Sequence, residues 1–312
     1  MPAPRIVTLT LNPSIDIVCE TESVRPGHKL RTGRERQDPG GGGINVARVV
    51  RELGGEAMAL VLSGGVTGRF LENLLREAGL PHRSLPIEGH TRINQTVQDR
   101  TAGTEYRFVA TGPTVREAEW IGLLGLLSGV EADWVVASGS LPPGIPDDFY
   151  ARAAMIARAH GQRFVLDTSG EPLGEALAAG VTLVKPSLRE LEAYLGHGLP
   201  DAAAQDAAAL ALARSGAAEI VALTMGGDGA VLATAEGVLR VPALPVPVRG
   251  TVGAGDSFVA GLTLSLSRGE SPAEALGWAV ATGAAAVASE GTARPQRAMV
   301  ERLRQGMCRE AG

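Results

Sequence analysis

Cysteine and aromatic residues are both scarce in this sequence. Its 312 residues include two cysteines, Cys19 and Cys308, and aromatic side chains make up 4% of the chain. Two cysteines so far apart exclude a disulfide framework and are typical of proteins from a reducing compartment. The hydrophobic fraction is nevertheless 45%, so a chain of this length can bury a sizeable core.

The sequence also lacks a long hydrophobic run and an excess of basic residues. Residues 1–5 lead directly into a short apolar segment, without the hydrophobic region of a signal peptide. The longest weakly polar run, residues 276–288, is too short and too rich in alanine and glycine to span a membrane. With 29 basic and 34 acidic residues the net charge is −5, which does not favour a nucleic-acid partner. We expect a soluble, cytoplasmic protein with no membrane or nucleic-acid partner.

Short β-rich segments alternate with amphipathic helical segments along most of the chain. The alternation predicts strands at residues 6–11, 57–62, 134–138, 163–167, 182–185 and 220–224. It predicts helices at residues 44–53, 70–78, 147–159 and 201–215, and a late hairpin formed by residues 230–233 and 238–241. This order indicates an α/β fold with a mostly parallel central sheet and helices on both faces.

Two pairs of strands with polar alternation interrupt this pattern. Residues 15–19 are predicted to pair with residues 30–37, and residues 93–100 with residues 105–110 through a turn at 101–104. Because no helix separates the strands within either pair, we expect a small antiparallel sheet apart from the main one. Such a sheet is a natural lid over a substrate, and its exposed strand edges favour a homodimer.

These expectations define a division of the chain into two parts. We assign residues 15–37 and 90–110 to a β-sheet lid. Residues 1–14, 38–89 and 111–312 are assigned to an α/β catalytic domain.

The most informative segment lies near the end of the chain, where Gly253, Ala254 and Gly255 precede Asp256 and an apolar helical run. Small residues let consecutive backbone N–H groups approach a ligand, and the start of a helix adds its positive dipole end. A neighbouring carboxylate can accept a proton. The combination indicates phosphoryl transfer to an alcohol, although a simple turn between a strand and a helix would have the same composition.

Two segments predict contacts to a sugar. Four glycines, Gly40 to Gly43, precede Asn45 at the start of a helix, and Asn45 can both donate and accept hydrogen bonds to hydroxyl groups. Asp16 follows the first strand, where ligands of open α/β sheets bind. An aspartate after a proline is also common in ordinary turns, and position alone does not distinguish the two interpretations.

Charged residues predict a site for phosphate groups. Lys29, Arg31 and Arg92 fall on the predicted lid strands, where they would either bind an anion or form a solvated face. Lys185 follows a buried strand and could reach a nucleotide phosphate. Glu190 could hold Mg²⁺ through water or could be an ordinary helix-surface residue.

Five motifs resemble those of the PfkB (ribokinase-like) carbohydrate kinases in order and spacing, along nearly the whole chain. They are residues 27–31 (GHKLR), 40–45 (GGGGIN), 106–108 (YRF), 138–144 (SGSLPPG) and 251–256 (TVGAGD). Within the family, the motifs are most similar to those of the minor-type ATP-dependent 6-phosphofructokinases. Residues 9–16 are shared with 1-phosphofructokinases and tagatose-6-phosphate kinases.

The resemblance implies a role for each matched residue. Asp256 corresponds to the general base, and the backbone anion hole to Gly253, Ala254 and Gly255. The sugar contacts correspond to Asp16, Gly41, Gly42, Gly43 and Asn45, and the contacts to its phosphate to Lys29, Arg92 and Ser140. The ATP site corresponds to Lys185, Ser187, Thr224, Gly226 and Gly229, and the magnesium-associated carboxylate to Glu190.

Two details of the resemblance concern the cofactors. The family's Asn-x-x-Glu pattern reads Ser187-Leu188-Arg189-Glu190 here, so a hydroxyl replaces an amide at the nucleotide site. Many relatives also bind K⁺ through backbone carbonyls, which would be those of Val252, Ala286 and Gly291. The implied cofactors are therefore ATP, Mg²⁺ and K⁺.

The expected reaction is ATP-dependent phosphorylation of a hexose phosphate, with fructose 6-phosphate giving fructose 1,6-bisphosphate. Fructose 1-phosphate and tagatose 6-phosphate are alternative acceptors, and a nucleoside is disfavoured by the cationic lid. A non-catalytic homologue that binds sugar phosphates is the other alternative. A dinucleotide-dependent oxidoreductase is disfavoured because no G-x-G-x-x-G motif follows the first strand.

Overall fold

The structure, a computed structural model, describes residues 5–289 and 295–310. Its strands are β1 Arg5–Thr10, β2 Ser14–Thr21, β3 Gly33–Gly40, β4 Glu56–Gly64, β5 His82–Ile87, β6 Arg92–Asp99, β7 Thr104–Phe108, β8 Trp134–Ser138, β9 Arg163–Asp167, β10 Val181–Val184, β11 Ala218–Thr224, β12 Ala230–Thr234 and β13 Gly237–Val241. Its helices are α1 Gly42–Glu52, α2 Gly65–Glu77, α3 Glu117–Ser128, α4 Phe149–Ala159, α5 Glu171–Ala179, α6 Leu188–Leu195, α7 Ala202–Arg214, α8 Ala254–Ser267, α9 Pro272–Val287 and α10 Arg297–Glu310.

Nine strands form the main sheet in the order β13-β12-β11-β10-β9-β8-β1-β4-β5. The strands from β11 to β5 are parallel, and only the hairpin of β12 and β13 at one edge is antiparallel. The mostly parallel α/β sheet predicted from the sequence is therefore confirmed.

The helices cover both faces of this sheet and bury one apolar layer on each. Val7 and Leu9 of β1 pack into the layer that includes α3, α4, α5 and α7. Ile6 packs into the opposite layer, with α1, α2, α8 and α9. Successive side chains of a strand point to opposite faces, so a strand that is apolar at every position is buried on both.

Strand β5 and several helices, among them α3, α5 and α10, were not identified from the sequence. Strand β5 lies at the sheet edge, is only partly buried and contains Pro86, so it shows neither an apolar run nor clear alternation. Helix α3 is apolar around most of its circumference and therefore lacks the amphipathic period that identified the other helices.

A second sheet of four strands, in the order β3-β2-β6-β7, stands apart from the first. The pairs β2–β3 and β6–β7 are antiparallel, but the central pair β2–β6 is parallel. The small antiparallel sheet expected from the sequence is therefore present, and only its central pair departs from the antiparallel pattern. Strands β2 and β6 both follow strands of the parallel main sheet, β1 and β5, after short connections. They consequently run in the same direction.

Strand β3 begins three residues later than the sequence predicted, at Gly33 instead of residue 30. Its pairing with β2 ends at Glu20 and Gly33. Beyond the end of β2, the N–H of Val24 donates to the carboxylate of Asp99, so the chain after β2 follows β6 and no longer pairs with β3. Lys29 and Arg31 consequently lie in an exposed loop and not on a lid strand.

Helices α8 and α9 make a close helix–helix contact that includes a glycine. A methyl group on Gly261 of α8 would lie 2.6 Å from Thr282 Oγ1 and 2.9 Å from the carbonyl oxygen of Trp278, both on α9. Neither atom can move away easily, since Thr282 is fully buried and the carbonyl belongs to the helix backbone.

Within the described ranges, no helix is long and apolar enough to cross a membrane.

We predict that Gly261→Ala destabilises the protein and that Gly277→Ala, one turn into the neighbouring helix, does not. Alanine favours the helix at both positions, but at 261 overpacking should outweigh this gain and cost about 1–3 kcal/mol. A methyl group on Gly277 meets no atom within 4 Å, so this control variant should gain up to about 1 kcal/mol. Urea unfolding of both variants measures the difference, and equal free energies of unfolding would contradict the packing argument.

Candidate active site

The candidate site lies at the edge of the main sheet where its parallel strands end. Ser138 is the last residue of β8, Asp167 is the last residue of β9, and Lys185 directly follows β10. Helices α1 and α8 begin at the same edge, so their positive dipole ends are directed at these polar side chains. Ligands of open α/β sheets bind in this position.

The anion loop predicted from the sequence forms the N-terminus of α8. Gly253 has φ +75°, a left-handed conformation that glycine adopts without strain, and the helix begins at Ala254. The N–H of Ala254 makes a 3.3 Å turn bond to the carbonyl of Thr251, whereas no backbone carbonyl in the described chain accepts from Gly255 or Asp256. These two N–H groups are therefore available to an anion.

The carboxylate of Asp256 is held at both oxygens. Asn45 Nδ2, on α1, donates to Oδ2 over 2.9 Å, and Ser138 Oγ donates to Oδ1 over 3.1 Å. Asp256 as a whole is only partly buried. A base fixed in this way, beside free N–H groups, can accept a proton while the helix end stabilises an anion.

Lys185 and Asp167 form an ion pair beside this carboxylate. The Lys185 Nζ to Asp167 Oδ1 distance is 3.1 Å, and the two side chains are 7% and 15% exposed. Burial disfavours the charged lysine, but the carboxylates of Asp167, Glu190 and Asp256 outweigh this effect and raise the pKa of Lys185. Lys185 also faces the anion loop, since a methyl group on Gly255 would lie 3.6 Å from its Nζ.

The surroundings raise the pKa of Asp256 from its usual value to about 6. Removal from water is the largest cause, and the like charge of Asp167 acts in the same direction. The hydrogen bonds from Asn45 and Ser138 and the charge of Lys185 oppose the shift. A base with a pKa near neutrality is well matched to proton transfer at physiological pH.

The glycine run is needed for packing within the protein itself. A methyl group on Gly42 would lie 2.2 Å from Ser138 Oγ, and one on Gly43 would lie 2.4 Å from the carbonyl oxygen of Leu9. Gly41 has φ +117° and a methyl group there would lie 2.6 Å from Thr10 Cγ2. The start of α1 therefore rests directly on the ends of β1 and β8, which brings Asn45 to Asp256.

Asp16 lies on the second sheet, where Asn94 of the neighbouring strand supports it. Asp16 Oδ1 accepts from Ser14 Oγ over 2.7 Å and from Asn94 Nδ2 over 3.0 Å. Both side chains line a cleft between this sheet and residues 249–252, which lead into the anion loop. The second oxygen of Asp16 makes no hydrogen bond to the described protein, so it can accept hydrogen bonds from hydroxyl groups.

Arg92 and Ser140 meet at Asn12, at the junction of the two sheets. The guanidinium of Arg92 donates to the carbonyl oxygen of Asn12 over 2.8 and 3.2 Å and to that of Ala110 over 2.7 Å. Asn12 Nδ2 lies 3.4 Å from Ser140 Oγ. Burial lowers the pKa of Arg92, although Asp16 opposes this. Two of the five guanidinium N–H groups of Arg92 remain for a phosphate. Among the described residues, no hydrogen bond or ion pair joins Lys29 to Arg92, Ser140 or Asn12.

A mostly apolar cleft of about 350 Å³ opens on the other side of the anion loop. Thr224, Gly226 and Gly229 line it from the end of β11, and Val280 and Val287 of α9 form its far wall. Gly229 has φ +94°, and a methyl group there would lie 2.1 Å from the carbonyl oxygen of Val241, so glycine is required for this turn. The size and lining of the cleft suit a flat, largely apolar ring system.

Ser187 and Glu190 form a capping box at the start of α6. Glu190 Oε2 accepts the N–H of Ser187 over 2.7 Å, and the Ser187 hydroxyl accepts the N–H of Glu190 over 3.4 Å. This arrangement is the S-x-x-E signature of a helix N-terminus, which the sequence interpretation overlooked. The hydroxyl at position 187 thus has a local structural role, and one carboxylate oxygen of Glu190 remains for a ligand.

The described residues suit Mg²⁺ better than K⁺, the two metal ions implied by the resemblance. No group of three or more acidic, histidine or cysteine side chains suited to a metal occurs among the described residues. Magnesium commonly uses one or two carboxylates with water and substrate phosphates, which Glu190 fits. Of the carbonyls named for K⁺, Ala286 already accepts from Ser289 N–H over 3.0 Å, and Gly291 lies outside the described residues.

Three polar residues of the site were missed from the sequence: Ser138, Asp167 and Asn94. The signal for the first two was their position as the last residue of an apolar strand. The signal for Asn94 was weaker, because it depends on the parallel pairing of β2 and β6, in which it lies opposite Asp16.

The chain is similar to known proteins along most of its length. A model of the pfkB family carbohydrate kinases matches residues 8–299. The chain is 45% identical over 302 residues to ATP-dependent 6-phosphofructokinase isozyme 2 of Mycobacterium tuberculosis (strain ATCC 25618 / H37Rv), covering 96% of this chain and 89% of that protein. It is 38% identical over 267 residues to 1-phosphofructokinase of Xanthomonas campestris pv. campestris, covering 83% of each. Phosphofructokinase-2 from Escherichia coli in complex with potassium superposes with a TM-score of 0.94 at 36% identity, covering 98% of this chain and 99% of that one.

We predict that Asp167→Asn lowers the pKa of Asp256. The substitution removes the like charge that helps to raise this pKa, while the charge of Lys185 continues to lower it. ¹³C-NMR titration of carboxyl-labelled aspartate, with Asp256→Asn to assign the signal, should show a midpoint of about 6 in the native protein and a lower one in the variant. An unchanged or higher midpoint in a folded variant would show that Asp167 does not control this group.

Proposed function

The chain belongs to the pfkB family of carbohydrate kinases, and from this premise we propose that it transfers the γ-phosphoryl group of ATP to a hydroxyl of a hexose phosphate. Fructose 6-phosphate, giving fructose 1,6-bisphosphate, is the acceptor we favour. The observation that carries the proposal is Asp256, a doubly held carboxylate with a pKa of about 6 at the start of α8. It combines a proton acceptor and an anion site at one helix end.

The proposed reaction needs few covalent roles from the protein. Asp256 takes the proton of the acceptor hydroxyl. At the same time the oxygen of that hydroxyl bonds to the γ-phosphorus, and the bond from this phosphorus to the ADP oxygen breaks. The free N–H groups of Gly255 and Asp256, where the anion loop enters α8, stabilise the negative charge on the transferring group, and Lys185 adds a positive charge beside them. Phosphoryl transfer of this type depends mainly on positioning and charge stabilisation.

ATP fits the apolar cleft next to the loop. The base would lie against Val280 and Val287, and the phosphates would point past Thr224 and Gly226 towards the anion loop. Glu190 would hold Mg²⁺ through water, and the metal would neutralise charge on the ATP phosphates. Ser187 would lie beside this metal and phosphate site, because it caps the helix α6 that carries Glu190.

The sugar phosphate fits the opposite side of Asp256. Asp16 and Asn45 would hold its hydroxyl groups, and the N–H groups at the start of α1, from Gly41 to Gly43, line the same approach. Arg92 and Ser140 would contact the existing phosphate at the junction of the sheets. The second sheet would close over the sugar as a lid and exclude water, which would otherwise accept the phosphoryl group.

A homodimer formed through the lid belongs to the same proposal, as does a cytoplasmic location. The lid exposes Ile93, Tyr106 and Phe108, and its strands β3 and β7 have free outer edges among the described residues. Exposed strand edges with large apolar side chains favour association. Lys29 would contact the substrate only if its loop moved or a second copy of the chain approached.

A K⁺ ion at the carbonyls of Val252 and Ala286 would support the anion loop.

Two alternatives remain part of the proposal's test. The similarity to a 1-phosphofructokinase makes fructose 1-phosphate one alternative acceptor. The motif at residues 9–16, which resembles that of tagatose-6-phosphate kinases, makes tagatose 6-phosphate the other. The other alternative is a non-catalytic sugar-phosphate-binding homologue, which the intact base and anion loop disfavour.

We predict that ATP-dependent turnover is fastest with fructose 6-phosphate. Coupled assays of kcat/KM for fructose 6-phosphate, fructose 1-phosphate and tagatose 6-phosphate decide the acceptor. Asp256→Asn serves as the matched variant and should lower kcat by at least about 100-fold while sugar binding persists, because the amide cannot accept the proton. No ATP turnover with any of the three would favour the binding homologue, and near-normal turnover by the variant would remove Asp256 as the base.

We predict that Arg92→Ala raises the KM for fructose 6-phosphate by about 10-fold or more and the KM for unphosphorylated fructose by much less. The loss of a charge-assisted contact to phosphate accounts for a change of this size. Arg100→Ala, an exposed arginine just after the far end of β6, is the control and should change neither KM. Thermal melting checks that the variant is folded, and equal changes for both sugars would exclude Arg92 from the phosphate contact.

A further inference from the structure

Ser138 lies at the point where four structural elements meet. It is the last residue of β8, is 2% exposed, and pairs in register with Asp167 at the end of β9. Its hydroxyl donates to Asp256 Oδ1 on α8 over 3.1 Å. The Ser138 hydroxyl is also close enough to Asp167 to act against the burial that raises the pKa of that carboxyl. The start of α1 closes over it, because Gly42 approaches so closely that a methyl group there would lie 2.2 Å from Ser138 Oγ.

The single hydroxyl hydrogen of Ser138 therefore has two carboxylates within reach. A serine hydroxyl donates one hydrogen bond at a time and accepts the others. Asp167 already has the ammonium group of Lys185 at 3.1 Å, whereas among the described residues the Oδ1 of Asp256 has only Ser138 as a side-chain donor. The competition favours donation to Asp256, since Asp167 is satisfied without it.

Ser138 and Asn45 hold the Asp256 carboxylate from opposite sides. Asn45 donates to Oδ2 over 2.9 Å and Ser138 to Oδ1, so rotation about the bond that carries the carboxylate would break one bond or the other. Both contacts depend on α1, because Asn45 belongs to it and Gly42 at its start leaves room for the Ser138 hydroxyl. The plane of the carboxylate is thereby fixed before a substrate binds.

We propose that Ser138 is a positioning residue for phosphoryl transfer, holding the carboxylate of Asp256 in the orientation that accepts the proton of the acceptor hydroxyl. This inference rests on the proposed kinase function. The charged groups that face Asp256 are Asp167 on β9, Lys185 after β10 and, through these two, Glu190 on α6. Ser138 is the uncharged member of this group and acts through geometry.

Ser138→Ala should separate kcat from KM. A carboxylate held at one oxygen spends less time in the reactive orientation, so kcat should fall about 10- to 100-fold, in line with the cost of small misplacements in active sites. The KM values for ATP and the sugar phosphate should change little, because Ser138 is buried and its hydroxyl is directed at Asp256. Loss of a hydrogen bond to the charged form also raises the pKa of Asp256, so the acid limb of kcat/KM should move to higher pH.

A double-mutant cycle with Asp256→Asn tests whether the effect passes through Asp256. If it does, adding Ser138→Ala to Asp256→Asn should lower kcat by no more than about twofold further, because coupled residues are not additive. A second full reduction in the double variant would overturn the proposal. A kcat within about twofold of the native value for Ser138→Ala alone would also overturn it.

Ser63→Ala is the matched structural control. Ser63 is likewise 3% exposed, near the end of the parallel strand β4, and donates to a carboxylate, that of Glu72, over 2.5 Å. Its removal should cost a similar amount of stability without changing kcat or the pH profile. If Ser63→Ala reduced kcat as much as Ser138→Ala, the loss would reflect general destabilisation and the proposal would fail.

One readout does not depend on activity and separates this inference from the proposed function. The ¹³C titration of Asp256 should show a higher midpoint in Ser138→Ala than in the native protein, whether or not a kinase substrate has been found. If the native protein has no kinase activity, the proposed function fails while this shift still reports the contact. If the native protein is active and neither the midpoint nor kcat changes, the positioning role itself is wrong.

Discussion

The carboxylate of Asp256 can be withdrawn from water only because several elements supply it with polar partners. An uncompensated carboxylate in such a place would cost several kcal/mol, roughly the margin by which a domain is stable. Asn45 and Ser138 occupy its two oxygens, and the start of α8 and Lys185 add positive charge. The like charge of Asp167 acts against them and leaves the group with a pKa of about 6. The same balance that permits burial therefore also makes the group a useful base.

This balance depends on how closely the helices approach the sheet. Gly42 and Gly43 place the start of α1 against Ser138 and the carbonyl of Leu9, at distances that no side chain would allow. Gly253 adopts a left-handed conformation that starts α8 directly beside them. Glycine at these positions therefore serves internal packing first. The proximity of a ligand to the backbone follows from that packing, because the helix ends are already at the cleft.

The fold was largely predictable because the inner strands of the main sheet are apolar on both faces, and β8 and β9 were placed to the residue. The positions that failed depend on information between strands. Ser138 and Asp167 belong to the site because β8 and β9 pair in register, and Asn94 because β2 and β6 run parallel. No local pattern encodes such a pairing. Ser187 differs from these three residues, because the S-x-x-E signature of its capping box is a local pattern. It was not recognised because the segment was interpreted only as part of a nucleotide site.

The division of the site also explains where sugar specificity must reside if the proposed function holds. Ser138, Lys185 and the start of α8 act on Asp256 and the transferring group, so they suit any acceptor alcohol and cannot distinguish one hexose phosphate from another. Asp16 and Asn94 lie on the second sheet, and Arg92 connects that sheet to the main one through the carbonyls of Asn12 and Ala110. A phosphate that draws Arg92 into a contact would also act on this connection. Recognition of the sugar phosphate and placement of Asp16 over it are therefore coupled through the same side chain, which makes the lid the discriminating part of the enzyme.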